Sequence, residues 1–146
     1  MISLKIESNG VDLYDIDENW ISSISEHIIT DFGQSDAKLS IIFSTDDHLK
    51  ELKKEFFKQN VFTDTISFNL EEPNEPLDGE IYISLDRVTE NAKIYKENFD
   101  QEYKRVIIHS ILHLLGFDDQ TDKEKNKMTK LENYYLSHIL EKDSSK

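Results

Sequence analysis

Between Asp17 and Phe32 the apolar side chains fall at Trp20, Ile21, Ile24, Ile28 and Ile29, the spacing of one helical face. Gly33 follows as a residue suited to leave a helix with positive φ. Ser3 to Ile6 alternates as a short strand, and Lys38 to Phe43 is a β-branched strand. Thr45 or Asp46 caps a helix whose stripe is Leu49, Leu52, Phe56 and Phe57. Asp64 to Leu70 places Ile66, Phe68 and Leu70 opposite Thr65, Ser67 and Asn69, the period of a half-buried strand. Both prolines lie between Glu71 and Gly79, which reads as a loop, and Glu80 to Ser84 is a further strand. Asp86 to about Asn98 predicts a helix, and Gln101 to Leu115 a strongly apolar one stopped by Gly116. Thr121 with Glu124 forms a capping box for a last helix to about Glu141, leaving a polar tail at 143–146.

This order predicts an α+β fold: a small mixed sheet of about four strands with about five helices packed on it. At 146 residues a single domain, 1–146, is expected. No apolar run approaches the roughly 18–20 residues that a bilayer requires. The first residues lack the basic and apolar regions of a secretory signal, so a cytoplasmic location is expected. There is no cysteine, which removes disulfides, thiolate metal sites and cysteine nucleophiles. Any metal must therefore be held by His and carboxylate.

The formal net charge is −13, but it is unevenly spread. Residues 1–36 hold one Lys against eight acids, whereas residues 121–146 hold six Lys against five acids. Lys50, Lys54 and Lys58 share a face at helical spacing, and Lys123, Lys125, Lys127 and Lys130 form a second basic group. Such a balance argues against a broad non-specific nucleic-acid binder but permits local phosphate contacts.

The chemistry concentrates in His109 to Asp119. His109 and His113 stand one helical turn apart, so both imidazoles reach a common point. Gly116 can take a positive φ and turn the chain so that Asp118 or Asp119 faces them. Two His and a carboxylate form a zinc shell with a position left for water, and other divalent ions are compatible. The frame H-x-x-x-H-x-x-G-x-x-D matches the metzincin spacing and favours Asp119 as third ligand, with Asp118 as the alternative or as a group orienting the water. Zinc proteases carry Glu after the first His; here Ser110 stands there, and the proteolytic base is missing. His27, His48 and His138 have no comparable company and read as surface or partly buried residues.

The run from His109 to Asp119 resembles the H-G-x-L-H-L-x-G-Y-D-H motif of the YbeY family of bacterial metal-dependent endoribonucleases, implicated in rRNA maturation and ribosome quality control. Thr63-Asp64-Thr65-Ile66-Ser67-Phe68 is similar to that family's T-[DN]-x-[LI]-S-F strand, and Gly79 to Ser84 to its G-[DE]-[IL]-x-I-S strand. Three positions depart from the pattern: Asp119 replaces the usual third His, Ser110 a Gly, and Phe57 an Arg. The resemblance implies single-strand-specific RNA cleavage with one Zn2+ at His109, His113 and Asp119. Its substrate would be single-stranded RNA or an rRNA precursor, and its partner the ribosome or a subunit. Asp118 would orient water, and Lys58, Lys123 and Lys127 would contact RNA. The alternatives are a ribosome-assembly factor with a structural zinc, and a metallopeptidase, which Ser110 disfavours.

Overall fold

The structure is a computed structural model that describes residues 1–144, with side chains described through residue 137. The alternating and β-branched segments assemble into one sheet of β1 (Ile2–Ser8), β2 (Ala37–Ser44), β3 (Thr65–Asn69) and β4 (Leu77–Ser84). The strand order is β1-β2-β4-β3. β1, β2 and β4 run parallel, and β3 pairs antiparallel with β4. Five helices complete the described chain: α1 (Glu18–Asp31), α2 (Asp46–Phe57), α3 (Leu85–Ile94), α4 (Phe99–Leu114) and α5 (Asp122–Ser144). The α+β architecture expected from the pattern is the one observed.

The core lies between the sheet and α1, α4 and α5. Ile21, Ile24, Ile28 and Ile29 of α1 meet Leu39, Ile41, Phe43, Ile81 and Ile83 of the sheet, together with Ile107 and Ile111 of α4. Gly79 lets α4 approach the sheet: a Cβ there would stand 2.7 Å from Leu114 Cδ1. Ser110 is fully buried on the sheet side of α4. Its hydroxyl donates to the Val106 carbonyl (2.7 Å) and accepts from Thr65 (2.8 Å), tying α4 to β3.

Four boundaries differ from the sequence expectation, each for a local reason. β4 starts at Leu77 rather than Glu80, because Leu77, Asp78 and Gly79 pair with Ala37, Lys38 and Leu39 of β2. The helix expected from Asp86 to about Asn98 is shorter: α3 stops at Ile94, Lys96 takes a φ of 56°, and Asn98 instead caps α4 by accepting the Gln101 amide at 2.7 Å. α2 ends at Phe57, and Lys58 adopts the left-handed conformation (φ 57°), so Lys58 leaves the stripe of Lys50 and Lys54. α5 runs to Ser144 where a tail from 143 was expected; the rest of that tail lies outside the described residues, as does the His138 side chain.

Candidate metal centre

The site begins with helix periodicity. Arg105, His109 and His113 follow one another at i, i+4 on α4, with their neighbours Val106, Ile107, Ile108, Ile111 and Leu112 buried in the core. α4 then stops in a double hydrogen-bonded turn: the Gly116 amide donates to His113 O (3.0 Å) and the Phe117 amide to Leu112 O (3.0 Å). Gly116 sits at a φ of 102°, a conformation side chains resist. Phe117 is anchored by edge contact with Phe32 (centroids 5.0 Å apart) and by the Lys127 ammonium 5.2 Å from its ring. The returning chain brings Asp119 to the histidines.

The two Nε2 atoms lie 3.0 Å apart, and Asp119 places Oδ2 3.5 Å from His109 Nε2 and Oδ1 3.6 Å from His113 Nε2. Donors about 2.0–2.1 Å from a tetrahedral ion stand roughly 3.3 Å apart, so this set fits a divalent cation. Among the described residues no further His or carboxylate joins the three.

Behind this cluster is a chain of polar contacts. Glu132 of α5 holds His109 Nδ1 through Oε2 at 2.6 Å and accepts from Arg105 Nη1 through Oε1 at 3.0 Å. Arg105 Nη2 also donates to Asn133 Oδ1 at 2.9 Å. A carboxylate only accepts, so His109 Nδ1 carries the proton and Nε2 presents its lone pair to the cluster. Burial works against charging the His109 ring, but the Glu132 bond and the charges of Glu132, Asp119 and Asp64 outweigh it and raise its pKa.

The family model described as Endoribonuclease YbeY matches residues 4–140. The chain belongs to the YbeY family. It is 41% identical over 106 residues to the Endoribonuclease YbeY of Chloroherpeton thalassium, covering 73% of this chain and 74% of that protein. The Phocaeicola vulgatus relative of the same name is 33% identical over 139 residues, covering 95% and 99%. A solution structure from Thermotoga maritima aligns with a TM-score of 0.66 at 28% identity, covering 97% of this chain and 92% of that one.

Within this YbeY-family chain the other expected site residues are dispersed. Asp118 accepts the Asp119 amide at 2.9 Å and lies outside the three-donor cluster. Lys123 is exposed near the start of α5, and Lys127 lies over Phe117. Lys58 is exposed past the end of α2. A groove of about 530 Å³ runs from His109, His113 and Asp119 to Lys53 and Phe57, so the lysine lining it is Lys53.

Glu132, Arg105 and Asp64 join the site without belonging to the His109–Asp119 spacing. Glu132 left one signal: an acid on the apolar stripe of Met128, Tyr135 and Leu136, where it is 6% exposed. Arg105 is the i−4 neighbour of His109, and Asp64 precedes β3. Asp64, Glu102, Arg105 and Glu132 line a cavity of about 130 Å³ beside His109. Burial raises the Asp64 pKa against the pull of His109 and nearby amides; burial and the Asp64 charge together raise that of Glu102.

Proposed function

We propose that this chain is a metal-dependent endoribonuclease that cleaves single-stranded RNA, with His109, His113 and Asp119 as ligands of one zinc ion. The three-donor cluster at the end of α4, with Glu132 behind His109, carries this reading. When bound, the ion supplies Lewis-acid stabilisation of a phosphoryl oxygen and a lowered water pKa. Three protein donors match a catalytic zinc shell, whereas structural zinc is closed by four. Glu132 keeps the His109 lone pair aimed at the cluster. Asp118, adjacent to Asp119, orients the attacking water. Lys58, Lys123 and Lys127 provide peripheral phosphate contacts. The substrate is rRNA precursor or ribosome-bound RNA in the cytoplasm, in keeping with the family resemblance; no helix of the described residues is long and apolar enough to cross a membrane.

Peptide hydrolysis is disfavoured by burial as well as by residue type. Ser110 occupies the position of the protease Glu, and its hydroxyl is spent on Val106 and Thr65 on the sheet side of α4. The test is elemental analysis of purified protein together with cleavage of end-labelled single-stranded RNA. One ion per chain and metal-dependent cleavage are expected, with both lost in His113→Ala. Cleavage that survives in His113→Ala would reject this site as the source of activity.

A further inference from the structure

The groove that holds the three donors is continuous with an exposed aromatic surface at the end of α2. Phe57 lines it together with Lys53, Thr65, Ser67 and Asn69. Phe57 is 43% exposed, and Phe62 is 47% exposed. The Phe57 ring is nonetheless held: it stacks on Phe68 with centroids 5.9 Å apart and planes at 27°. Phe68 is in turn braced by edge contact with Tyr82 at 5.9 Å. A cation accompanies both Phe57 and Phe62. Lys53 Nζ lies 4.8 Å from the Phe57 centroid, and Lys50 Nζ lies 4.4 Å from that of Phe62.

A rigid, open ring beside an ammonium in a groove that leads to a metal centre has the chemistry of a nucleotide site: a π face for the base, a cation for the phosphate. Base stacking outweighs an exposed cation–π contact, so an arriving base takes the ring and releases the ammonium to a phosphate oxygen. Lys50 and Lys53 on these rings favour a polyanion over an apolar protein partner. Resting on the endoribonuclease reading above, we propose that Phe57 is the stacking platform for the base next to the scissile phosphate of single-stranded RNA, and that Lys53 holds that nucleotide's phosphate. The ring that stands where the family has Arg is then a contact of a different kind. A base inside a duplex is already stacked on its neighbours and cannot use the ring, which selects for single strands.

Fluorescence anisotropy with zinc-loaded protein tests this, using labelled oligoadenylate, oligouridylate and an abasic ribose-phosphate strand. Phe57→Leu keeps apolar packing on Phe68 and is expected to weaken oligoadenylate binding about 10-fold, in the range of one lost stacking contact. Oligouridylate binding should weaken less, and abasic-strand binding should not change. Phe57→Trp should retain affinity, with its indole emission quenched by the oligonucleotide. Lys53→Gln should weaken all three ligands, the abasic strand included. Oligoadenylate affinity in Phe57→Leu equal to that of the unmodified protein would overturn the stacking role. So would an equal loss on the abasic strand. Cleavage by the unmodified protein, measured in parallel, separates the two readings: if His113-dependent cleavage stands while Phe57→Leu binds normally, only the stacking role falls. If the unmodified protein neither binds nor cleaves, both fall.

Discussion

Glu132 shows how one side chain acts through another. Its two oxygens are divided between Arg105 and His109, so the guanidinium fixes the carboxylate that fixes the imidazole. Glu132→Gln removes the charge and lets the ring choose the other tautomer. Metal affinity is expected to fall roughly 10- to 100-fold, the usual effect of losing such a partner, as measured by competition with a chelator. Arg105→Ala should move affinity the same way, with Arg105→Lys a partial rescue. Asp64 makes an electrostatic prediction. Burial raises its pKa in the folded protein, so the fold holds this proton more tightly than the unfolded chain does. The associated stability is present in full below the ordinary carboxylate range and is lost as pH rises through the raised value. Asp64→Asn should therefore flatten that decline and stabilise the metal-free protein at neutral pH. Urea denaturation at acidic and neutral pH reads this directly, and an unchanged pH slope would place the decline elsewhere.

At the scale of elements, the centre depends on how α4 meets the sheet and how it ends. Gly79→Ala would press a methyl group against Leu114, which is buried, and should cost about 1–3 kcal/mol by urea denaturation. Leu114→Ala in the same chain should absorb part of that cost, a non-additive pair. Gly116→Ala has space for its methyl but not the backbone freedom; about 1–2 kcal/mol of strain is expected at its φ of 102°, with weaker metal binding as Asp119 shifts. Lys96 supplies the converse case. It ends α3 at a φ of 56° without being glycine, and Lys96→Gly should stabilise by up to about 1 kcal/mol, the left-handed strain less the glycine entropy.

For the whole molecule the deciding quantity is charge. A formal net charge of −13 repels RNA at long range, so binding depends on a few local cations. Each neutralised phosphate of a single strand contributes about −0.7 to the slope of log affinity against log salt. A shallow slope is therefore expected, made shallower by Lys123→Glu combined with Lys127→Glu, with metal content unchanged. A steep slope of many contacts would contradict local recognition.

Local periodicity was enough to place α1, β2, β3 and α4, because a half-buried strand or helix must repeat its apolar side chains at 2 or 3.6 residues. It was enough for His109, His113 and Asp119 too: one helical turn and one glycine stop are geometry within eleven consecutive residues. The end of α3 was harder to see, because Lys96 takes a left-handed conformation with no glycine to mark it. Which carboxylate supports His109 was decided only in three dimensions. The packing of α5 on α4 brings residue 132 to Nδ1, while Asp118, five residues after His113, stays on its own turn. Lys53 and Phe57 reach the groove for the same reason: the end of α2 packs beside β3, and no spacing along the chain encodes that. The sequence determined the donor set of the candidate centre because its three donors are local; only the tertiary structure decided what orients and surrounds it, because those contacts join segments distant in the chain.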